Sequence, residues 1–257
     1  MRAIAFAAAL LFAFVVYPLF PALPSLLGDG LRALHARVLR SFTRADGTAD
    51  ERPALCVFLL LLGGACALPG AIHPLLGAVT ASFAYTGLSA LPGSVSAKEE
   101  LDSGAYTKDP AAYESLARET CAALAPAFCQ GVFAPLLLCA LGTPLWLDAS
   151  LGWCHLALRA LCGANSDARR ICALCLRPAD ASFRFLLTLL SGLLGRSPFR
   201  MRGKRSGERL MYILGIAGDD SDTHAPMAGD ITQAVFLCCF SACLMAGALT
   251  FLLMALL

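Results

Sequence analysis

The densest set of potential ligands in this chain is Asp219-Asp220-Ser221-Asp222-Thr223-His224. Close carboxylates followed by an imidazole suit Mg²⁺, which takes oxygen ligands and bridges substrate phosphates. A solvated loop has the same composition. Asp219, Asp220, Asp222 and His224 are therefore the candidate catalytic groups, with Mg²⁺ as the candidate cofactor. Upstream stand Arg196, Arg200, Arg202, Lys204, Arg205 and Arg209. Guanidinium and ammonium groups pair with phosphate, and Arg200, Arg202, Lys204 and Arg205 are the phosphate-binding candidates. The same run also marks a loop lying against anionic lipid. Gly203-Lys204-Arg205-Ser206 has the outline of a P-loop, but Pro198 stands where the first glycine is needed and no strand precedes it. That motif is excluded.

Arg184 sits in the apolar run 183–194. A cation at bilayer depth costs several kcal/mol unless it meets a partner, a wet cavity or the interface. Its position near one end of the run allows it to snorkel. His73 and His155 are flanked by apolar residues and read as core histidines. Cys172 and Cys175 form the one C-x-x-C pair, with no second pair or histidine to complete a zinc site. Most other cysteines lie in apolar runs, where a thiol behaves as a small hydrophobe.

The elements that must position these groups are apolar. Of 257 residues, 58% are hydrophobic and 15% charged, against about 45–50% and about 25% in soluble domains. This points to an all-α, polytopic membrane bundle forming a single integral membrane domain over 1–257, with the lipid bilayer as its first partner. A net charge of +2 does not imply nucleic acid. The run 3–27 reads as a helix to about Pro18, then an irregular exit at Pro21 and Pro24. The region 54–91 is too long for one crossing of a bilayer about 30 Å thick, so it divides into two helices at Pro69–Pro74. The region 121–147 is long enough to cross, 183–194 is short, and 231–257 is a full span with no charge after Asp230. The expectation is five to six transmembrane helices with additional short ones. Polar loops are expected at 28–53, 94–120 and 196–230. Six crossings would put those three loops on one side, which is cytoplasmic by the positive-inside rule. Arg159, Arg169, Arg170 and Arg177 then fall on the wrong side, so 150–177 is expected as short packed or re-entrant helices.

Leu124-Ala125-Pro126-Ala127-Phe128-Cys129-Gln130-Gly131-Val132-Phe133-Ala134-Pro135-Leu136, followed by Gly142 and Pro144, resembles the adenosylcobinamide-phosphate synthase (CobD/CbiB) family of cobalamin biosynthesis. That family carries L-A-E-N-x-x-D-G-V-x-A-P-L, then G-G-x-P. His224-Ala225-Pro226-Met227-Ala228-Gly229 resembles its H-P-S-P-N-A-G, and Arg184 in Ser182-Phe183-Arg184-Phe185-Leu186 resembles the arginine of its P-A-R-L-T. The three islands keep their order over roughly residues 80–245. The resemblance implies a corrinoid substrate, other corrinoid-biosynthesis proteins as partners, and Gly131, Pro135, Arg184, Pro226 and Gly229 as the substrate-binding framework. The departures are chemical. Pro126, Ala127 and Gln130 replace Glu, Asn and Asp, and the family's N-T-L-D falls near Trp153-Cys154-His155-Leu156. Two readings follow. One is a divergent enzyme joining an aminopropanol-type amine to a corrinoid carboxylate. The other is a non-catalytic accessory or regulatory membrane protein on the same scaffold, as in the related ampicillin-resistance (AmpE-type) proteins. The lost polar groups favour the second over full activity.

Overall fold

In a computed structural model, residues 2–43, 49–106, 109–145, 147–201, 203–217 and 223–256 are described. Proline writes several of the helix starts. Pro24 opens α2 (Leu23–Arg40), Pro74 opens α4 (Pro74–Ser82), Pro110 opens α6 (Pro110–Phe128) and Pro135 opens α7 (Ala134–Gly142). The missing N–H is harmless there because the first turn has no intrahelical acceptor for it. The chain begins with α1 (Arg2–Leu19), and α3 (Glu51–Ile72) precedes α4. A 3₁₀ turn at Thr86–Ser89 leads into α5 (Ala90–Asp102). After α7 come α8 (Asp148–Leu161), α9 (Ser166–Leu193), α10 (Ser206–Leu214) and α11 (Ala228–Leu256). No strand occurs among the described residues. Side chains complete other starts: Asp109 accepts from Ala112 N–H at 3.0 Å, and Asn165 accepts from Ala168 N–H at 2.8 Å. His73, expected as a core residue, is instead the cap of α4, its Nδ1 accepting from Leu75 N–H at 3.2 Å.

Much of what was expected as loop is helix. The segment 28–53 carries most of α2, 94–120 carries the end of α5 and the start of α6, and 196–230 carries α10. The exit after α1 is not irregular: Leu23 starts α2 after a 101° bend. The division at Pro69–Pro74 stands, with α3 ending at Ile72 and α4 beginning at Pro74.

Three helical stretches are long and apolar enough to cross a membrane: Glu51–Ile72, Pro110–Leu145 and Ala228–Leu256. Counting each bent pair as one span (Ala3–Leu19 with Leu23–Arg40, and Pro74–Ser82 with Thr86–Asp102, the latter bent by 47°) brings the number to five. The segment 183–194 does not stand alone but completes the 28-residue α9. The middle of the bundle is the α6–α7 rod, with Leu124, Phe128, Val132, Phe133 and Leu136 fully buried. A second cluster joins Leu31, Leu55, Phe58, Leu156 and Leu161 of α2, α3 and α8. The outer faces are apolar: Leu60, Leu61 and Ile72 on α3 and Phe236, Phe251 and Leu252 on α11 are exposed. Soluble monomers rarely leave such belts open, and acyl chains cover them at no cost. We therefore expect the protein to stay in the membrane pellet after carbonate washing at high pH; recovery in the supernatant would contradict a spanning bundle.

Candidate functional site

A cavity of about 920 Å³ lies between α6, α9 and α10. Ala122 and Pro126 line it from α6, Asp180 and Arg184 from α9, and Lys204, Arg205 and Glu208 from α10 and its lead-in. Two sets of candidates named from the sequence, Arg184 and the basic run, thus meet in one place. Arg184 is held there by its own helix: its Nε lies 2.9 Å from Asp180 Oδ2 one turn earlier. Residues i and i+4 face each other on a helix, so this pair follows from spacing alone. Arg184 is therefore ion-paired beside a cavity, and does not merely reach for the interface.

The start of α10 is built as tightly. Glu208 accepts from the Arg205 N–H at 3.0 Å, meeting one of the donors a helix start leaves open. Lys204 Nζ lies 4.8 Å from the centre of the Tyr212 ring, a cation–π contact that keeps the ammonium at the cavity rim. Behind the wall, Arg209 ties α10 to α9. It donates to Arg184 O at 3.0 Å, to Thr188 Oγ1 at 2.5 Å and to Lys204 O at 3.0 Å. Burial and the neighbouring Arg184 guanidinium pull the Arg209 pKa below the usual arginine value, while Asp180 acts in the opposite sense. Among the described residues the lining carries three cations, Arg184, Lys204 and Arg205, against two acids, Asp180 and Glu208. An anion of phosphate or carboxylate type would relieve that excess.

The remaining candidates are scattered. Gly131 belongs to a single π turn, Cys129–Phe133, between α6 and α7. It is packed on Gly87 of the 3₁₀ turn so closely that a Cβ at 131 would lie 2.2 Å from the Gly87 N. Pro135 is buried at the start of α7. Both shape the backbone, and neither lines the α6–α9–α10 cavity. Pro226 lines a smaller cavity of about 380 Å³ with Tyr106, Tyr113 and Glu114, and Gly229 lies exposed in the first turn of α11. Arg200 is exposed on the 3₁₀ turn Pro198–Met201, away from Arg184's cavity. Arg202, Asp219, Asp220 and Asp222 lie outside the described residues. His224 packs at the end of α10, its Nε2 3.1 Å from Leu214 O and 3.7 Å from Asp230 Oδ1, its Nδ1 2.8 Å from Ala225 O. Both ring nitrogens thus face protein oxygens, which does not suit a metal ligand. Among the described residues no group of three or more His, Cys, Asp or Glu could hold a metal ion. The Mg²⁺ expectation rests on aspartates outside them.

His155 is buried, as expected of a core residue; its Nε2 lies 3.0 Å from Gln130 O, while its Nδ1 has no hydrogen-bond partner among the described residues. All twelve cysteines are free thiols, Cys172 and Cys175 included. Sequence reasoning missed Asp180, whose i,i+4 spacing to Arg184 was a usable signal, and Glu208, which stands three residues after Arg205 at a helix start. It also missed Gly87, for which no local signal exists. Comparisons with protein-family models, with curated proteins and with solved structures give no match to this chain.

Proposed function

We propose that this chain is a membrane protein of the adenosylcobinamide-phosphate synthase (CobD/CbiB) type that binds an anionic corrinoid intermediate in the α6–α9–α10 cavity without efficient turnover. The observation that supports it is the meeting of Arg184, Lys204 and Arg205 around one cavity of about 920 Å³. Arg184 belongs to one of the three islands that carry the resemblance, and the two other cations suit the phosphate of the ligand. The cavity volume is in the usual range for a small-molecule site. Corrinoid-biosynthesis proteins are the partners this reading implies.

Pro126 favours binding over catalysis. It stands where the family pattern has Glu, and it lines this cavity. Amide formation needs a polarised carboxylate and stabilised charge. Losing one such electrostatic contact commonly costs about 10²–10³ in rate. Ala127 and Gln130 replace two further polar groups of the pattern. An accessory or regulatory role on the same scaffold is thus the reading closest to the lining. The test is expression in a strain lacking the authentic synthase, grown on cobyric acid. The expected result is no rescue, with corrinoid retained in membranes that contain the protein. Robust growth would overturn the loss of turnover, and corrinoid-free membranes would overturn the corrinoid assignment.

A further inference from the structure

A second cavity, about 440 Å³, lies on the α2–α8–α9 side of the bundle and is lined by Arg32, Arg159 and Arg169 together with Thr86, Gln130 and apolar Leu156 and Leu176. Arg159 is half-buried on α8, a helix packed against α3, α4 and α7. It donates to Thr86 Oγ1 at 2.7 Å and to Gln130 O at 3.4 Å. Both acceptors are neutral, and among the described residues no carboxylate pairs with it. A guanidinium has five N–H donors, so two neutral contacts leave most of its capacity and all of its charge unanswered. Each of the other two arginines is also anchored by a backbone carbonyl: Arg32 Nη1 to Ala160 O at 3.4 Å, Arg169 Nε to Cys162 O at 3.0 Å. Of the three, and among the described residues, Arg32 alone has an acid beside it, Asp29. Burying a charge is unfavourable unless it is paired, yet this fold spends two specialised turns on placing Arg159. Thr86 comes from the 3₁₀ turn and Gln130 from the π turn, which the Gly87–Gly131 contact presses together.

We propose that this cavity is a second anion site, distinct from the α6–α9–α10 cavity, which takes a phosphate or carboxylate group. Arg159 is its innermost contact, and Arg32 and Arg169 flank it. The shared chemistry is an anionic oxygen cluster, supplied either by a lipid headgroup or by a free anion. The placement also gives a role to Arg159 and Arg169, two of the four arginines that fall on the wrong side in a simple topology.

The test uses the full-length protein purified in neutral detergent, with thermal unfolding read against added inorganic phosphate and against added phosphatidylglycerol, zwitterionic phosphatidylcholine serving as the net-neutral control. The wild type is expected to be stabilised by at least one of the two anions and not by phosphatidylcholine; which one acts identifies the source. Arg159→Gln, which keeps a polar side chain opposite Thr86, is expected to need about tenfold more of that anion for the same shift. Arg169→Gln, on an exposed residue, guards against misfolding and is expected to weaken the response in the same direction. Lys204→Ala lowers any phosphate response that arises in the other cavity and is expected to preserve the part of the response that Arg159→Gln removes. No stabilisation by either anion, or an unchanged response in Arg159→Gln and Arg169→Gln, would overturn the proposal. Loss in Lys204→Ala alone would assign the effect to the other cavity and overturn it equally.

Discussion

Gly131→Leu is expected to yield no folded protein, and Gly131→Ala to lower thermal stability sharply. A single Cβ at 131 would lie 2.2 Å from Gly87 N and 2.5 Å from Gly87 Cα. These are backbone atoms, which cannot rotate aside as a side chain can. Overpacking against yielding side chains costs about 1–3 kcal/mol, so a clash with backbone at the centre of the bundle is expected to cost ~3 kcal/mol or more. For a chain of this size that is a fall of about 6–12 °C in Tm. The contact is reciprocal: a Cβ at Gly87 would stand 2.4 Å from Ala127 O, so Gly87→Ala is expected to fail in the same way. Gly247→Ala is the control, because a Cβ there meets nothing within 4 Å. Removing a mid-helix glycine is expected to be neutral or to stabilise by up to about 1 kcal/mol. Size-exclusion profiles after stepwise heating in detergent would read all four variants. A Gly131→Ala protein melting with the wild type would contradict the close approach of the two turns.

That contact also shows where sequence reading stops. The break at Pro69–Pro74 was legible because proline lacks an N–H and bars helix continuation there. The span after Asp230 was legible because nothing charged interrupts it. Helix α9 was not, since a search for unbroken apolar runs passes over an amphipathic helix. Its buried face, Cys172, Ala179, Phe183, Leu187 and Leu190, recurs at helical spacing while Arg170, Arg177 and Arg184 occupy other positions. The polar stretches at 28–53 and 196–230 hide α2 and α10 for the same reason. Gly87 and Gly131 lie 44 positions apart in the numbering, and no local pattern announces that they will meet. The candidate site was half legible. Its cations could be named from their types, but their convergence depends on how α9 and α10 pack, which Arg209 secures through Arg184 O and Thr188.

The cavity variants carry the other large expected effect. A hydrogen bond to a charged group contributes about 1.5–3 kcal/mol, which is roughly 10- to 100-fold in affinity. Arg184→Ala is expected to cost at the upper end, because it also strands Asp180, its partner at 2.9 Å. Lys204→Ala and Arg205→Ala are expected to cost less, since both groups sit near the cavity rim and are better screened. The three losses are not expected to add fully, because the groups would share one ligand; about 10³-fold for the triple variant is the expected order. The measurement that bears most directly on the whole account is equilibrium binding of adenosylcobinamide phosphate and of adenosylcobinamide to the protein in nanodiscs. The wild type is predicted to favour the phosphorylated ligand by about tenfold or more, with the preference shrinking as salt rises and vanishing in the triple variant. Equal affinity for the two ligands in the wild type, or a preference that survives loss of Arg184, Lys204 and Arg205, would contradict it.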